Sequence, residues 1–451
     1  MPINHFLSEH GHRIRNRLNF TDDPPEWGLR AKQAASSNPD FLDATVGTAQ
    51  NESGFHYFPT LLKEIQTLSS EETLAYANMR GVPAFSRAWK FDTINSYHPS
   101  LRDKAKILTS DPVPIAGGLT GALFTVGQLF ADQETHLLAP SSRWGNIDNC
   151  FGIGLDVPIH SFDIFSKDGH FTFDHLRSKI EDVAPSASRL IIYLNFPNNP
   201  TGYMPNFKEI EELQDIFKAI SLPTIVLLDD AYEGYVYPDE SFPSQENPIP
   251  HSIFPYLFGI NSEILPIKID GPTKRFCAYG TRLGVISLGF HSETDQKTDV
   301  QVVKTGLNVS EVFVKAARSH CSSAPRGIQE ALGRILSDNE KYKAILEERE
   351  AFRSMLEQRY RFFLRVLQEQ DPNPILKPLT CNSGFFAFFL VQDLSARVLA
   401  AQLLEKGLGV VPFMDNQTGF NGVRFAFCSL LEKDISPAIE ILWRVSTEMC
   451  C

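Results

Sequence analysis

The chain has 451 residues, of which 43% are hydrophobic and 21% are charged, and its formal net charge is -12. This composition is that of an ordinary globular protein, and the length predicts two or three domains. The acidic balance argues against a nucleic-acid-binding protein, whose surface would be basic, and is compatible with small-molecule substrates.

The cysteines and the apolar segments predict the compartment. The seven cysteines are scattered, odd in number and without the paired spacing of a metal site, which predicts free thiols in a reducing environment. The first twenty residues lack the apolar core of a signal peptide, and no apolar run is long enough to span a bilayer. No polybasic stretch precedes Cys450 and Cys451, which disfavours a lipid anchor there. We therefore expect a cytoplasmic protein without a membrane segment.

The predicted elements change character along the chain. Residues 1–40 are polar and contain a Pro-Pro break, which predicts an N-terminal arm with one helix, and residues 43–52 form an extended segment. From about residue 105, short apolar strands alternate with helices, which predicts an α/β domain with a mainly parallel sheet. Helices are predicted at 60–69, 83–91, 120–130, 173–183, 207–220, 325–336 and 341–370. Strands are predicted at 115–116, 136–139, 156–159, 189–194, 224–228 and 285–290.

The remaining segments predict the division into domains. Residues 236–255 are rich in Pro and Ser and predict a surface excursion, whereas the long charged helix at 341–370 is typical of a bridge between domains. Five later elements, at 384–391, 396–406, 409–411, 423–427 and 435–445, predict a smaller α+β unit. We therefore expect an N-terminal arm and part of a small domain at 1–80, a large domain at 81–338 and a small C-terminal domain at 339–451.

Polar residues follow two of the predicted strands at turns of restricted composition. Gly117 and Gly118 precede Leu119 and Thr120 at the start of a helix, where free N–H groups favour an anion, although a tight turn with a Thr cap has the same pattern. After the strand at 189–194, two prolines hold a rigid loop that presents Asn199. Because ligands bind at the carboxyl ends of parallel strands, both turns are candidate binding sites.

Two charged residues stand in or directly after apolar strands. Asp229 directly follows the strand at 224–228, so its carboxylate should be buried and should need a cationic partner. Tyr232, three residues further on, could add a phenol to the same site. A structural salt bridge or a helix cap would also explain Asp229. Arg424 interrupts an apolar strand and suits the bidentate capture of a carboxylate.

The stretch at 270–284 contains Lys274 eight residues before Arg282, among small residues. A lysine held beside such a turn suits a reaction that needs a desolvated, nucleophilic amine. A surface loop with two solvated cations has the same composition, so this stretch gains meaning only from the other motifs.

Taken in order from about Ala44 to the C-terminus, these motifs resemble those of the class I/II aminotransferases, the aspartate- and aromatic-aminotransferase-like enzymes of pyridoxal-phosphate fold type I. The resemblance implies a large α/β domain, with a mainly parallel central sheet sandwiched by helices, which binds the cofactor. It implies a smaller α+β domain built from the N- and C-terminal segments. It also implies pyridoxal 5′-phosphate as the cofactor and a homodimer whose active sites lie at the subunit interface.

The same resemblance implies roles toward the cofactor. Lys274 would form the Schiff base with the cofactor aldehyde, and Asp229 would pair with the ring nitrogen. Asn199 and Tyr232 would hydrogen-bond the phenolic oxygen, and Trp144 would stack on the ring. The phosphate would be held by Leu119, Thr120, Thr273 and Arg282.

Roles toward the substrate and the partner subunit are implied in the same way. Arg424, with Gly47 and Asn199, would hold the substrate carboxylate, and Tyr76 would reach the phosphate of the partner subunit. Arg318 would read a second substrate carboxylate across the dimer, although a helix-surface arginine is an equal interpretation. Many relatives carry a serine where this chain has Gly271, and the chain between Tyr232 and Lys274 is longer than usual, with an insertion near residues 237–251.

The resemblance implies an aminotransferase that moves an amino group from an acidic or aromatic L-amino acid to a 2-oxo acid such as 2-oxoglutarate. Two alternatives share the cofactor motifs. One is a pyridoxal-phosphate lyase of the C–S or aminocyclopropane-carboxylate-synthase kind, to which residues 49–52 have a faint likeness. The other is a non-enzymatic effector-sensing domain, which the fold alone does not exclude.

Overall fold

The structure is a computed structural model that describes residues 6–17, 24–239, 241, 243, 246–302 and 309–449. The terminal Cys450 and Cys451 lie outside the described residues. Helices in these ranges are α1 (Glu9–Arg17), α2 (Pro24–Ser37), α3 (Pro59–Gln66), α4 (Ser70–Leu74), α5 (Pro83–Ser96), α6 (Pro99–Leu108), α7 (Gly118–Phe130), α8 (Asp174–Val183), α9 (Phe207–Lys218), α10 (Pro272–Arg275), α11 (Glu293–Val302), α12 (Val309–His320), α13 (Arg326–Ser337), α14 (Asn339–Gln368), α15 (Ala396–Glu405) and α16 (Glu432–Glu448). None of these helices combines the length and the apolar character that crossing a membrane requires.

The strands of the described ranges form two larger sheets and two short pairs. They are β1 (Leu42–Asp43), β2 (Gln50–Asn51), β3 (Gly54–Phe55), β4 (Val113–Ala116), β5 (Thr135–Pro140), β6 (Ile159–Phe162), β7 (Arg189–Asn195), β8 (Thr224–Asp229), β9 (Ile264–Asp270), β10 (Leu283–Leu288), β11 (Leu376–Pro378), β12 (Ala387–Val391), β13 (Leu408–Gly409), β14 (Val411–Asp415) and β15 (Phe420–Phe425).

The larger sheet has seven strands in the order β4-β10-β9-β8-β7-β5-β6. The strands from β9 to β6 pair in parallel, and β10 is antiparallel to both of its neighbours. β7 and β8 are buried almost throughout, as expected for central strands covered by helices on both faces. The predicted α/β fold with a mainly parallel sheet is confirmed.

The second sheet has four strands in the order β11-β12-β15-β14, all antiparallel. The 30-residue helix α14 leads from the elements of the larger sheet to this one. β1 pairs in parallel with β13, through Leu42 with Leu408 and Asp43 with Gly409. The segment after α2 therefore joins the C-terminal elements, although more than 350 residues separate them along the chain.

Several predicted elements are wrong in position or extent. β6 begins at Ile159 instead of residue 156, because Asp156 has a φ of 60°, in the left-handed region that a strand cannot continue through. The stretch at 236–255 is only partly a surface excursion, since Ile249, Ile253 and Phe254 are fully buried. β9, β11 and the helices α4, α6, α10, α11 and α12 were not predicted, and the N-terminal arm contains two helices, α1 and α2, instead of the expected one.

Candidate active site

A cavity of about 260 Å³ opens where β7, β8 and β9 end. Its lining combines residues from the larger sheet, from the segment near residue 45 and from the four-stranded sheet. The lining residues are Pro25, Thr45, Gly47, Leu119, Trp144, Asn195, Asn199, Asp229, Ala231, Tyr232, Gly271, Thr273, Lys274, Arg282, Phe386 and Arg424. Ten of the sequence-predicted site residues therefore share one cavity.

Lys274 lies on α10, the four-residue helix that follows β9. Its Nζ donates a hydrogen bond of 2.5 Å to the carbonyl oxygen of Gly47 and lies 4.9 Å from the centre of the Tyr279 ring. Burial lowers the pKa of the Lys274 amine to about 8, and the positive charges of Arg424 and Arg282 act in the same direction. The amine thus has the lowered basicity that favours a nucleophile at near-neutral pH.

Asp229 ends β8 with its side chain buried. Its Oδ2 accepts a hydrogen bond of 2.9 Å from the hydroxyl of Tyr193, and its Oδ1 accepts one of 3.1 Å from the N–H of Ala231. Burial raises the pKa of the Asp229 carboxyl to about 6, while these two hydrogen bonds lower it. The expected cationic side-chain partner is absent, since no described lysine or arginine forms a salt bridge with Asp229.

Arg424, on β15, closes the opposite side of the cavity. Its Nη1 donates to Asn199 Oδ1 at 2.9 Å, and its Nη2 donates to the carbonyl oxygen of Thr45 at 2.6 Å. Its guanidinium carbon lies 4.2 Å from the centre of the Phe386 ring, while its Nε is buried without a hydrogen-bond partner. No carboxylate of the described residues forms a salt bridge with Arg424, so its charge is available to an anionic ligand in the cavity.

Asn195 ties two of these residues together. Its Nδ2 donates to the main-chain carbonyl oxygen of Asp229 at 2.7 Å, and its Oδ1 accepts from the N–H of Asn199 at 2.7 Å. Asn195 and Asp229 are also partners in the register of β7 and β8. No role was predicted for Asn195, although a polar residue at the end of a buried strand is a recognisable signal in the sequence.

The turn before α7 and Arg282 form a cationic corner of the cavity. Gly117 and Gly118 have φ values of 87° and 66°, which only glycine adopts readily, and they begin the helix beside Leu119. Arg282 Nη2 donates to the carbonyl oxygen of Gly117 at 2.9 Å, and a Cβ on Gly118 would lie 3.0 Å from that nitrogen. The first helical turn adds N–H groups that lack intrahelical acceptors, so the corner suits an anion.

The structure explains why a serine is missing at position 271. A Cβ on Gly271 would lie 2.6 Å from the carbonyl oxygen of Leu283 and 3.3 Å from Leu119 Cδ1. The buried hydroxyl of Thr273, two residues later, has no hydrogen-bond partner among the described residues. Thr273 is therefore the nearer candidate for an anion contact on this side of the cavity.

Three predicted site residues do not line the cavity of this chain. The hydroxyl of Thr120 accepts a hydrogen bond of 3.1 Å from Asn146 Nδ2. Tyr76 is 91% exposed. Arg318 lies on α12, where its guanidinium contacts the sulfur of Met79. The roles expected for Tyr76 and Arg318 involve a partner subunit and stay predictions.

A buried ion network lies beneath α10. Lys268, on β9, pairs with Asp230 and, at 2.7 Å, with Glu233. Arg275, the residue after Lys274, pairs with Asp92 at 2.5 Å and with Glu233 at 3.5 Å. All five side chains are almost completely buried. The network fixes the end of α10 and so restricts where Lys274 can lie.

Comparison with known proteins identifies the family. The family model for aminotransferase class I and II matches residues 40–442. Nicotianamine aminotransferase 1 of Oryza sativa subsp. japonica is 23% identical over 267 residues, which are 56% of this chain and 49% of that protein. Aspartate aminotransferase, cytoplasmic isozyme 2, of Arabidopsis thaliana is 24% identical over 203 residues, which are 44% of this chain and 48% of that protein. The chain thus spans about half the length of the curated relatives it matches.

Solved structures share the fold at low identity. An aminotransferase from Anaerococcus prevotii DSM 20548 superposes with a TM-score of 0.81 at 18% identity, covering 99% of this chain and 100% of that one. The aspartate aminotransferase of Thermus thermophilus with maleate has a TM-score of 0.70 at 18% identity, covering 97% and 99%. Because the family model spans most of the sequence and the fold agrees with it, the chain belongs to the aminotransferase class I and II family.

Proposed function

We propose that this protein is a pyridoxal-phosphate-dependent aminotransferase, which moves an amino group from an L-amino acid to a 2-oxo acid such as 2-oxoglutarate. The observation that carries the proposal is the meeting of Lys274, Asp229 and Arg424 in one cavity. This chemistry needs an amine of lowered basicity, a buried carboxylate and an arginine that can bind a substrate carboxylate. Among the described residues, neither Asp229 nor Arg424 forms a salt bridge, so both are available to ligands.

The described residues fit the cofactor. The Asp229 carboxylate accepts two hydrogen bonds but forms no salt bridge with a described residue, so a protonated ring nitrogen would complete its surroundings. The unpartnered hydroxyl of Thr273 and the corner at Arg282 and Leu119 suit its phosphate. Lys274 Nζ lies in the same cavity to bind its aldehyde, and Trp144 adds an aromatic face. When bound, pyridoxal phosphate supplies an electron sink for bond cleavage at the substrate Cα.

The residues of the chain would then divide the work. The Lys274 amine, with its pKa of about 8, can accept a proton from the substrate Cα and return it. Asn199 and Tyr232 would hydrogen-bond the phenolic oxygen of the cofactor. Arg424 would exchange its contacts with Asn199 and Thr45 for the substrate carboxylate, which offers a charged acceptor of matching geometry.

An exposed face supports a homodimer. Leu74 and Tyr76 are 82% and 91% exposed, which is unusual for side chains of this size in a surface that faces only water. Met79 is exposed beside them and contacts Arg318, so Tyr76 and Arg318 lie on neighbouring parts of one face. We propose that this face meets a partner subunit, where Tyr76 reaches the phosphate of the partner's cofactor and Arg318 its substrate.

The domain boundaries and the cellular compartment are also part of this proposal. We propose domain boundaries at residues 80 and 338, and the order of the strands supports them, because β4 to β10 fall between these positions and β11 to β15 follow them. The five cysteines of the described residues are free thiols, which supports a reducing compartment such as the cytoplasm.

An assay of amino-group transfer tests the proposal. The purified protein is incubated with pyridoxal phosphate and a panel of acidic and aromatic L-amino acids, with and without 2-oxoglutarate, beside a Lys274→Ala variant. We expect a new amino acid only when 2-oxoglutarate is present and only with the unaltered protein. Product formation without the acceptor would indicate a lyase, and cofactor binding without turnover of any amino acid would indicate a sensing domain.

A further inference from the structure

A buried phenol contacts the carboxylate at the floor of the cavity. Tyr193 stands two residues before the end of β7, and its hydroxyl donates a hydrogen bond of 2.9 Å to Asp229 Oδ2 on the neighbouring strand β8. Tyr193 is fully buried, and Asp229 is 3% exposed. The pair is therefore shielded from water, where a hydrogen bond to a charged group is at its strongest.

The hydroxyl of Tyr193 is explained by its hydrogen bond to Asp229. A phenylalanine would fill nearly the same volume in this apolar strand, and a buried hydroxyl without a partner is unfavourable. Asp229 is its only hydrogen-bond partner among the described residues. Conversely, Tyr193 is the only described side chain that donates a hydrogen bond to the Asp229 carboxylate, because the second donor is the main-chain N–H of Ala231.

We propose that Tyr193 is a positioning residue that acts through Asp229, holding its carboxylate ionised and oriented to accept a hydrogen bond from the ring nitrogen of the cofactor. This inference rests on the proposed function. A donor to the charged form of a carboxylate favours that form. Without the Tyr193 hydroxyl, a proton shared between Asp229 and the ring nitrogen moves toward the carboxylate, and the ring loses positive charge.

Two residues of β7, Tyr193 and Asn195, both contact Asp229 on β8. Tyr193 and Asn195 alternate with Leu194, so both project from the same face of β7. Asn195 binds the main chain of Asp229, whereas Tyr193 binds its side chain. The two residues of β7 therefore hold both the main chain and the side chain of Asp229, and Tyr193 contacts the atoms that carry its charge.

The test measures how one substitution changes the binding of two cofactors. Tyr193→Phe removes the hydroxyl, and the dissociation constant is measured for pyridoxal phosphate and for its deaza analogue, in which a C–H replaces the ring nitrogen. We expect Tyr193→Phe to weaken pyridoxal phosphate binding about ten- to a hundredfold, as for the loss of a hydrogen bond to a charged group, and to leave the analogue unaffected. A purely structural role would weaken the binding of both cofactors equally, so this result would overturn the inference, as would unchanged binding of both.

A matched control and a second variant complete the design. Tyr203 is also buried, and its hydroxyl donates to Glu209 Oε1 at 2.8 Å, but neither residue lines the cavity, so Tyr203→Phe should change neither constant. An ortho-fluorinated tyrosine at position 193 keeps the hydroxyl and strengthens it as a donor, so it should tighten pyridoxal phosphate binding selectively even if Tyr193→Phe does not fold. Equal effects on both cofactors would contradict the inference. Failure of the unaltered protein to bind pyridoxal phosphate would instead overturn the proposed function itself.

Discussion

The amine of Lys274 donates a hydrogen bond to the carbonyl oxygen of Gly47, which precedes it by 227 positions in the chain. Gly47 follows β1, which pairs with β13, so the contact joins the C-terminal elements to the end of the seven-stranded sheet. The amine of Lys274 therefore lies between residues of the two sheets, in the cavity that Arg424 also lines.

The lowered basicity of Lys274 predicts a pH dependence for capture of pyridoxal phosphate. The neutral amine is the nucleophile, so the capture rate should rise as the pH increases through about 8, the pKa of Lys274, and then level off. Stopped-flow absorbance measures this rate. An N-acetylated peptide with one lysine is the control, because its side-chain amine has a pKa of about 10.4 and its rate should keep rising well above pH 9. A protein profile that matches the peptide profile would contradict the prediction.

Arg424 should determine the affinity for the substrate carboxylate. Arg424→Lys keeps the charge but removes the planar guanidinium group. We therefore expect kcat/KM to fall by a factor of roughly 30 or more, which corresponds to a loss of about 2 kcal/mol of transition-state stabilisation. Steady-state kinetics measures the change, and circular dichroism checks the fold. Arg359 is the matched control, because it is equally buried and donates to the carbonyl oxygens of Cys428 and Gln50 without lining the cavity. If Arg359→Lys lowers kcat/KM as much at equal stability, Arg424 has no specific role.

Gly47 leaves space that the site needs. A Cβ at this position would lie 2.9 Å from Phe386 Cζ and 3.3 Å from Lys274 Nζ, so Gly47→Ala crowds both side chains. We expect amino acid binding to weaken by about 1–3 kcal/mol through overpacking, measured as a rise in KM. Gly280→Ala is the control, since a Cβ there would meet nothing within 4 Å. Equal KM values for the two variants would show that the space at Gly47 is unimportant.

The buried ion network should contribute to stability. Arg275→Met leaves Asp92 and Glu233 without one of their buried cations, so the free energy of unfolding should fall by about 3–5 kcal/mol. Denaturant titration measures this change. Lys106→Met is the control, because its pair with Asp103 is on the surface, with both side chains more than half exposed, and should contribute almost nothing. A small effect at Arg275 would mean that the network is not tightly coupled to the fold.

Much of the site was predictable because its residues mark the ends of strands. Asn199 and Asp229 follow apolar segments that become β7 and β8, and parallel strands bring their carboxyl ends to one edge of the sheet. Lys274 was predicted from a different signal, its position eight residues before Arg282 in a stretch of small residues. Arg424 could be predicted as a binding residue because it interrupts an apolar strand, where a charged side chain needs a partner.

Other features depend on partners that are distant in sequence. β9 was not predicted, because Lys268 and Asp270 interrupt its apolar pattern. Their burial is explained by ion pairs of Lys268 with Asp270 and with Glu233, which lies in another segment. Tyr193 looked like an ordinary apolar position of β7 until β8 placed Asp229 beside it. The contact of Gly47 with Lys274 likewise has no local signal, since it arises from the pairing of β1 with β13.

The most direct test of the account is to identify the lysine that binds the cofactor. The protein is incubated with pyridoxal phosphate, reduced with borohydride, digested and analysed by mass spectrometry. Lys268 is an internal control, because it is buried in ion pairs with Asp230 and Glu233 and should not react. We predict one phosphopyridoxyl group, attached to Lys274. An unmodified Lys274, or modification of another lysine in its place, would contradict the account.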